Sequence, residues 1–461
     1  MSLLLDETNR LIIEEQLYDT EYLGTEASQL ESGLNQEQKE VYEAIQQAVY
    51  QRNGGLFFVY GSGGTGKTYL WRTLISKLRS QNHVVIAVAS SGITALLLPS
   101  GKTAHSGFSI PINIHEKSCC RISQGSSLAF LIQNTKLIIW DEAPTVHRHA
   151  FEAVDRTFRD IMQVINPAAK DQVFGGKTVV LGGDFRQILP VIPRKGRAEI
   201  VDGSISKSNT LWPHCKVFKL TMNMRLQGTA DQIGKQELAQ FSQWVLDVGD
   251  GKIPAIVMEG EEEPNWIEIP DDILLKDKGD KKKAIIQEIY PDLLNKYRDL
   301  NYLTERAILT PKNEGVDEIN NYILGMIPGD EHIYKSADRI CPFTNTSTND
   351  EVLYPTEFLN TLQFPGIPNH EIRLKVGCPI ILTRNISQSE GLCNGTRLIV
   401  SRLDTRVIQA KVVTGTNVGE QVAIPRVEVS PTDSTLPFTL KRRQFPVKFQ
   451  ESQVEVVSKF V

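Results

Sequence analysis

Short apolar runs alternate with amphipathic stretches through the first half of the chain. Four of the runs have the length and the β-branched or aromatic content of buried strands. These four lie at residues 56–60, 84–89, 137–140 and 178–181. The stretches between them carry apolar residues at helical spacing, as residues 69–78 do. The alternation over residues 55–225 predicts an α/β fold with a doubly wound parallel sheet, which binds its ligand at the carboxyl ends of the strands.

The second half of the chain has a different pattern. Residues 306–311 and the helically spaced apolar positions of residues 316–324 predict a second strand–loop–helix unit. From Gly377 onward, short β runs are separated by turn residues. These runs lie at residues 379–382, 396–400, 407–413 and 422–424. They predict a small antiparallel barrel, either inserted in the second α/β domain or following it.

The N-terminal stretch before the first strand contains two separate helical signals. Residues 1–33 mix leucine and isoleucine clusters with many acidic residues, which predicts one or two surface helices. A new helix then begins within residues 34–38. Asn35 is a suitable N-cap there, and Gln38 follows three positions later, as in a capping box.

A glycine-rich octapeptide joins the first strand of the α/β domain to its helix. It consists of Gly61, Ser62, Gly63, Gly64, Thr65, Gly66, Lys67 and Thr68. Glycines allow backbone N–H groups to turn toward a phosphate, and the helix N-terminus adds a partial positive charge. The arrangement indicates the phosphate-binding loop of nucleotide hydrolases, with Lys67 on the β- and γ-phosphates and the Thr68 hydroxyl on Mg²⁺.

Two further strand ends carry polar groups suited to nucleotide hydrolysis. One apolar strand ends in Asp141 and Glu142, which we expect to hold Mg²⁺ through water and to polarise the attacking water. Gln187 follows the next strand and is suited to sensing a γ-phosphate. A small-molecule kinase also uses a phosphate loop, but the acid pair, the Gln187 segment and a second domain favour a hydrolase.

The composition is that of a globular protein long enough for two to four domains. The chain has 461 residues, of which 41% are hydrophobic and 23% charged, and its net charge is −5. This net charge does not by itself indicate a nucleic-acid partner, although a local basic groove is compatible with it. We expect no secretory signal and no membrane-spanning stretch. Six cysteines without a CxxC pair predict a reduced, intracellular protein, in which His115, Cys119 and Cys120 are loop residues rather than zinc ligands.

With these motifs, residues 34–448 resemble the Pif-type (petite integration frequency) helicases, including the helicase portion of Helitron transposons. The matching motifs lie at residues 34–38, 61–68, 89–95, 103–106, 140–144, 182–190, 220–225, 309–313 and 391–396. These helicases are superfamily 1 motors that move 5′ to 3′ on single-stranded DNA. The resemblance implies that Gln38 reads adenine and that Arg225 contacts the γ-phosphate. It also implies a catalytic set, which consists of Lys67, Glu142, Gln187 and Arg225.

The resemblance further implies a function, a cofactor, a substrate, binding partners and a cellular compartment. It predicts an ATP-dependent DNA helicase that acts in DNA repair, recombination and telomere or genome maintenance. The cofactor would be Mg²⁺ with ATP as substrate, and the partners would be single-stranded DNA or DNA junctions, with no membrane partner. We expect the nucleus as the compartment, with the mitochondrion as the second candidate.

The same resemblance suggests which residues contact DNA, through the phosphates and through base stacking. They are Ser91, His105, Ser106, Phe108, Thr310, Asn313 and Asn394. Each of these residues is also compatible with an ordinary loop or core position, and Phe108 especially with plain packing.

Patterns and resemblance together predict a division of the chain into six segments. They are an N-terminal helical extension at 1–33, a first RecA-like ATPase lobe at 34–230 with a small insertion at about 99–135, a helical linker region at 231–300, a partial second RecA-like lobe at 301–376, an SH3-like β-barrel domain at 377–448 and an atypical tail at 449–461.

The C-terminal stretch departs from the family pattern. In the family, the segment after the Arg-Gln-Phe-Pro stretch returns to the second lobe and supplies motif VI, with a Ser-Gln-Gly run and a later arginine. Neither follows Arg443 in this sequence. A second hypothesis is therefore a truncated ATP- and DNA-binding protein, which binds Mg·ATP but has strongly impaired DNA-stimulated hydrolysis and little unwinding.

Overall fold

The computed structural model divides the chain into two compact units at the boundary between Ile267 and Glu268. It describes residues 9–51, 54–95, 97–192, 195–228, 232–260, 264, 266–275, 279–310, 313–341, 354–362, 364, 367–387, 390–414, 417–431 and 438–449. No helix within these ranges is both long and apolar enough to cross a bilayer. The six segments expected from the sequence remain a prediction, because this division into two units is coarser.

The first unit contains the elements that the apolar runs predicted. Its described helices are α1 (Arg10–Gln16), α2 (Thr20–Ser32), α3 (Gln36–Gln51), α4 (Lys67–Ser80), α5 (Gly92–Ala95), α6 (Ala104–Gly107), α7 (Ser127–Asn134), α8 (Arg148–Gln163), α9 (Arg197–Asp202) and α10 (Gln232–Gly249). Its described strands are β1 (Gly55–Gly61), β2 (Val84–Ala89), β3 (Lys102–Thr103), β4 (Thr135–Asp141), β5 (Thr178–Gly183), β6 (Cys215–Leu220), β7 (Ala255–Ile256) and β8 (Trp266–Ile267).

Six of these strands form one sheet in the order β3-β2-β4-β5-β1-β6. Every neighbouring pair within it is parallel. Successive strands are connected by helices, which parallel pairing requires. The predicted α/β fold with a doubly wound parallel sheet is therefore confirmed.

Both faces of this sheet are buried, as the continuous apolar runs imply. Side chains of a strand point alternately to opposite faces. Accordingly, Phe57 and Val59 belong to one core cluster, whereas Leu56 and Phe58 belong to another. The sheet is thus held between two layers of helices, and its carboxyl edge is fixed rigidly in place.

The two N-terminal helices pack on the first unit. Ile12 of α1 is buried beside Val84 and Leu131. Glu15 accepts a hydrogen bond from the buried Arg79 guanidinium at 3.0 Å. Of the one or two surface helices expected before residue 34, two are present, α1 and α2, and residues 1–8 lie outside the described ranges.

The predicted capping box at the start of α3 is confirmed. The Gln38 backbone N–H donates to Asn35 Oδ1 at 2.9 Å, and the Asn35 backbone N–H donates to Gln38 Oε1 at 3.1 Å. Each side chain thus satisfies a backbone donor of the other residue. Gln38 is completely buried, and this pairing fixes its side chain at the N-terminus of the helix.

The second unit contains short helices and antiparallel strands. Its described helices are α11 (Lys281–Ile289), α12 (Leu293–Lys296), α13 (Leu300–Thr304), α14 (Asn313–Met326) and α15 (Thr356–Thr361). Its described strands are β9 (His332–Lys335), β10 (Ala337–Cys341), β11 (Glu371–Leu374), β12 (Pro379–Leu382), β13 (Arg397–Leu403), β14 (Val407–Val412), β15 (Gln421–Pro425), β16 (Val427–Val429), β17 (Thr439–Gln444) and β18 (Val447–Phe449).

The strands of the second unit form three antiparallel sheets in its described part. Their orders are β15-β14-β13-β12-β18, β10-β17-β16 and β11-β9. The four β runs predicted after Gly377 correspond to β12 through β15 and are confirmed. The prediction of a strand at residues 306–311 is wrong, because the described residues 306–310 have no regular structure. Ile308 is buried there, so the apolar run reflects burial rather than strand pairing.

A buried arginine joins distant parts of the second unit. The Arg442 guanidinium donates three hydrogen bonds to the Asp338 carboxylate, at 2.6 to 3.0 Å. It donates one more to each of the carbonyl oxygens of Leu359, Leu362 and Pro368, at 3.0 to 3.2 Å. The Arg442 and Asp338 side chains are only 1% and 0% exposed. Breaking such a pair leaves a buried charge without compensation.

We predict that Arg442→Lys destabilises the second unit by about 3 kcal/mol, because an ammonium cannot reproduce the planar fork of donors. The matched control is Arg443→Lys, since Arg443 is the exposed neighbour on the same strand. All five tryptophans belong to the first unit. Urea unfolding followed by circular dichroism should therefore shift for Arg442→Lys, while the tryptophan fluorescence transition stays in place. Equal effects of the two substitutions would contradict the prediction.

Candidate active site

The glycine loop lies between the carboxyl end of β1 and the first turn of α4. Gly64 and Gly66 have φ angles of +88° and +80°, in the left-handed region that favours glycine. A Cβ atom at Gly64 would approach Asn223 Oδ1 to 2.7 Å, and one at Gly66 would collide with Gln38 Nε2. The loop therefore needs glycine at both positions for conformation and for space.

The remaining loop residues close this turn onto the helix. Thr65 is buried, and its hydroxyl donates to the Ser62 carbonyl oxygen at 2.8 Å. A Cβ at Gly61 would collide with this Thr65 hydroxyl, whereas Gly63 faces open space. Thr68 is exposed in the first turn of α4. The loop thus presents backbone groups and a hydroxyl beside a helix N-terminus, which suits a bound anion.

Lys67 is the buried cation of the loop. It is 8% exposed, and its Nζ donates to the carbonyl oxygens of Gly61 at 2.5 Å and Ser62 at 3.3 Å. Burial raises the pKa values of Asp141 and Glu142, and the positive charge of Lys67 opposes that rise. The structure therefore brings the loop lysine and the predicted acid pair into one site.

Asp141 ends β4 at the carboxyl edge of the sheet. It is 7% exposed, and its Oδ1 atom is buried without a hydrogen-bond partner among the described residues. Burial raises the pKa of Asp141, while the neighbouring Trp71 indole and the Lys67 charge lower it. A buried carboxylate oxygen that is not saturated with donors suits a hard cation.

Glu142 follows directly, in an unusual backbone conformation. Its φ and ψ angles are 52° and 38°, in the left-handed region, which costs a residue other than glycine roughly 1–2 kcal/mol. Burial, followed by the Asp141 charge, raises the pKa of Glu142 to about 7, while Lys67 and a side-chain hydrogen bond from Gln187 oppose that rise. A carboxylate whose pKa lies near neutrality suits a general base.

Gln187 reaches this site from the segment that follows β5. Its backbone N–H donates to the Asp184 carbonyl oxygen at 3.0 Å, and the Arg186 N–H donates to Asp184 Oδ1 at 2.8 Å. This turn sets the Gln187 side chain beside Glu142. The predicted strand-end glutamine and the predicted acid pair thus lie together.

Gln38 and Arg225 lie on the other side of the glycine loop. Gln38 Nε2 donates to the carbonyl oxygens of Thr65 at 3.2 Å and Gly66 at 3.4 Å. The Met224 N–H donates to the Gly64 carbonyl oxygen at 2.8 Å, which holds the exposed Arg225 beside the loop. Reading of adenine by Gln38 remains a prediction, since in this structure its amide binds the loop itself.

Three of the predicted DNA-contacting residues also lie at the carboxyl edge of the sheet, at the end away from the glycine loop. Ser91 follows β2, whereas His105 and Ser106 belong to α6, which follows β3. All three are exposed. Thr103 Oγ1 accepts from the Ser106 N–H at 3.3 Å and caps this short helix.

The prediction that Phe108 contacts DNA is wrong. Phe108 is completely buried, with its ring centroid 5.4 Å from that of Phe158 and 5.8 Å from that of Trp140. Its ring fills the core beneath α6 and has no surface left for a base. The apolar alternative that the sequence left open is the correct one.

The other three predicted DNA-contacting residues belong to the second unit. Thr310 is 8% exposed, and Asn394 is exposed with its N–H donating to Asn385 Oδ1 at 2.7 Å. Asn313 begins α14, but its side chain and residues 311–312 lie outside what the structure describes.

Sequence reasoning missed several residues that shape the site. Ser90 and Thr145 donate their hydroxyls to the Glu142 carbonyl oxygen at 2.6 and 2.8 Å. A Cβ at Gly182 would approach Asp141 Oδ1 to 2.9 Å and also meet the buried Trp71. The available signals were a serine directly after a buried strand, a threonine three positions beyond Glu142 and a glycine ending an apolar strand.

Two family models match this chain. A model described as PIF1-like helicase matches residues 33–259, and a model described as DNA helicase Pif1, 2B domain, matches residues 357–403. Together these ranges cover most of the first unit and part of the second unit.

Among curated proteins, the chain is similar to two DNA helicases. It is 27% identical over 354 residues to the ATP-dependent DNA helicase Pif1 of Psychrobacter sp. (strain PRwf-1), covering 75% of this chain and 44% of that protein. It is 24% identical over 377 residues to the ATP-dependent DNA helicase PIF1 of Danio rerio, covering 80% of this chain and 46% of that protein. The chain spans less than half the length of these relatives.

Among solved structures, the fold is similar to that of a Bacteroides Pif1. The crystal structure bound to ssDNA has a TM-score of 0.59 at 19% identity, covering 91% of this chain and 82% of that one. The crystal structure in complex with ADP-AlF3 and ssDNA has a TM-score of 0.60 at 20% identity, with the same coverage.

The raised pKa of Glu142 predicts a pH-dependent stability of the first unit. The ordinary pKa of 4.5 applies to the unfolded chain, whereas the folded value is about 7. The folded state therefore binds this proton more tightly, so this contribution to stability falls as the pH rises from about 4.5 to about 7. Glu142→Gln has no titrating group at this position and does not lose this stability. Its free energy of unfolding should therefore rise relative to that of the natural chain by up to about 1.4 kcal/mol per pH unit in that window.

Urea unfolding followed by tryptophan fluorescence at several pH values measures this difference. Glu116→Gln is the control, because Glu116 is an exposed glutamate of the same unit. A constant difference between Glu142→Gln and the natural chain from pH 4.5 to 7 would refute the assignment.

Proposed function

Because this chain belongs to the PIF1-like helicase family, we propose that it is an ATP-dependent helicase that moves 5′ to 3′ along single-stranded DNA. One observation carries the proposal. Lys67, Asp141, Glu142 and Gln187 converge at the carboxyl edge of a parallel sheet, beside a glycine loop that opens onto a helix N-terminus. These are the groups that phosphoryl transfer from a nucleoside triphosphate requires.

The glycine loop would hold the phosphates of ATP. Backbone N–H groups of the loop and the N-terminus of α4 supply partial positive charge, and the Lys67 ammonium supplies a full one. Lys67 would exchange its bonds to the Gly61 and Ser62 carbonyl oxygens for phosphate oxygens. The exchange keeps a buried cation paired throughout.

Thr68 and Asp141 would hold Mg²⁺. The fit rests on the exposed Thr68 hydroxyl in the first turn of α4 and on the buried Asp141 Oδ1, which has no hydrogen-bond partner in the described part of the chain. A bound Mg²⁺ neutralises negative charge on the phosphate oxygens.

Glu142 would act as the base that takes a proton from the attacking water. Its pKa of about 7 leaves it able to accept a proton at neutral pH, and a positioned base of this kind contributes about 10²–10⁴-fold to a rate. Gln187, hydrogen-bonded beside it, would orient the same water. Arg225, exposed next to the loop, would stabilise charge on the γ-phosphate.

Single-stranded DNA would contact Ser91, His105 and Ser106 on the first unit and Asn394 on the second. Support comes from their exposure and from the position of the first three after β2 and β3. A related Bacteroides Pif1 has been crystallised with ssDNA and ADP-AlF3. We assign the protein to DNA repair and recombination, first in the nucleus and second in the mitochondrion, on the family resemblance alone.

We predict that Lys67→Ala abolishes ATP hydrolysis and the unwinding of a duplex with a 5′ single-stranded tail, because the β- and γ-phosphates lose their buried cation. Lys77→Ala is the matched control on the same helix, where Lys77 pairs with Glu31 at 3.4 Å. The measurements are phosphate release with and without single-stranded DNA, and strand separation on 5′- and 3′-tailed duplexes. Hydrolysis that survives Lys67→Ala, or a natural chain that unwinds neither substrate, would overturn the proposal.

We also predict that His105→Ala weakens binding of a fluorescent oligo-dT by about tenfold, because stacking of a base on a side-chain ring contributes about 1–3 kcal/mol. His214→Ala is the control, since His214 is an exposed histidine next to β6, at the opposite edge of the sheet. Fluorescence anisotropy at fixed salt measures both affinities. Equal affinities for the two variants would remove His105 from the DNA interface.

A further inference from the structure

Ser90 lies between the two proposed sites of the first unit. It follows β2 directly and precedes Ser91, the first residue of the proposed DNA-binding segment. Its hydroxyl donates to the Glu142 carbonyl oxygen at 2.6 Å and lies 3.2 Å from that of Asp141. Its backbone N–H also donates to the Asp141 carbonyl oxygen at 3.2 Å. One residue thus connects the end of β2 with both members of the acid pair.

The backbone of Glu142 depends on these contacts. Its left-handed conformation is unfavourable for a residue with a Cβ atom, so surrounding bonds must hold it. Its carbonyl oxygen accepts from three donors: the Ser90 hydroxyl at 2.6 Å, the Thr145 hydroxyl at 2.8 Å and the Thr145 N–H at 3.3 Å. Thr145 belongs to the same turn as Glu142, whereas Ser90 comes from another strand end.

Ser90 is followed in the chain by a short segment in which Ser91 and Thr94 are hydrogen-bonded to each other. Ser91 Oγ and Thr94 Oγ1 lie 2.8 Å apart, the Ser91 N–H donates to Thr94 Oγ1 at 3.3 Å and the Thr94 N–H donates to Ser91 Oγ at 3.3 Å. Both residues are accessible from the surface, because Ser91 is exposed and Thr94 is half-buried. A ligand that takes hydrogen bonds from these groups would restrain the same short segment.

We propose that Ser90 is a positioning residue that couples occupancy of the Ser91–Ala95 segment to the backbone of Glu142. The inference rests on the proposed function. Contacts of DNA with Ser91 and Thr94 fix this segment, and the Ser90 hydroxyl then stays on the Glu142 carbonyl oxygen. The carboxyl group of Glu142 is held in its working position more often when DNA is bound, and hydrolysis is faster.

A structural role alone would give a different outcome. If Ser90 merely supported the fold of the site, its loss would lower hydrolysis equally with and without DNA. Thr145 serves as the comparison, because its hydroxyl binds the same carbonyl oxygen but belongs to the turn after Glu142. The quantity that separates the two roles is therefore the ratio of kcat with single-stranded DNA to kcat without it.

The experiment compares Ser90→Ala, Ser90→Thr and Thr145→Val in the full chain, with oligo-dT as the DNA. We expect Ser90→Ala to lower the kcat ratio by about 3- to 10-fold, which is the effect of one hydrogen bond. The KM for ATP and the Kd for oligo-dT should stay within about twofold, because Ser90 touches neither ligand. Ser90→Thr restores a hydroxyl and should restore the ratio, whereas Thr145→Val should lower both rates and leave the ratio unchanged.

Three results would overturn the inference. The ratio of Ser90→Ala could equal that of the natural chain, Ser90→Thr could fail to restore it, or Thr145→Val could lower it as much as Ser90→Ala. If Ser90→Ala does not fold, Ser90→Cys replaces it, since a thiol is a weak donor and should lower the ratio in the same direction. A natural chain whose hydrolysis does not respond to oligo-dT refutes the proposed function itself, whereas a stimulated natural chain with an unchanged Ser90→Ala ratio refutes only the role of Ser90.

Discussion

The buried Asp141 carboxyl group, the half-buried Glu142 carboxyl group and the buried Lys67 ammonium share the carboxyl end of a single sheet. The site depends on their mutual proximity. Burial raises the pKa values of Asp141 and Glu142, and the Lys67 charge lowers both. A buried charge left alone costs several kcal/mol, and the Lys67 ammonium offsets part of that cost for each carboxylate. The sheet order brings them together, since β4 and β1 both flank β5.

The backbone of the glycine loop also offsets the cost of a buried charge. Lys67 is paired with two carbonyl oxygens of its own loop, so its charge is compensated before any phosphate arrives. Gln38 and Met224 each hydrogen-bond to the same loop from other elements, through carbonyl oxygens of Thr65, Gly66 and Gly64. The loop is therefore fixed from both sides, and a ligand meets donors that are already oriented, which reduces the cost of reorganisation on binding.

The sequence predicted the parts of this protein in which local pattern and tertiary role agree. Buried parallel strands read as continuous apolar runs, and the capping box at Asn35 and Gln38 is a local device, so both were predicted correctly. Phe108 was misjudged because an aromatic residue in a polar loop has the same local pattern whether it faces a base or the core. The run at residues 306–310 was misjudged for a related reason, since burial without pairing produces the same apolar sequence as a strand. Ser90 was missed because its partner lies 52 positions away, at another strand end.

The Arg442 cluster has a consequence for how the protein is made. Asp338 and Arg442 are 104 residues apart, and β10 pairs with β17 over the same interval. At about 5–20 residues per second, a ribosome needs roughly 5–20 seconds between delivering the carboxylate and delivering its guanidinium partner. During that interval the strand edge of β10 is unpaired and the carboxyl group of Asp338 stays in water, so the second unit can close only late in translation. A nascent chain that stalls within this interval therefore presents an unpaired strand edge, which favours aggregation and chaperone capture.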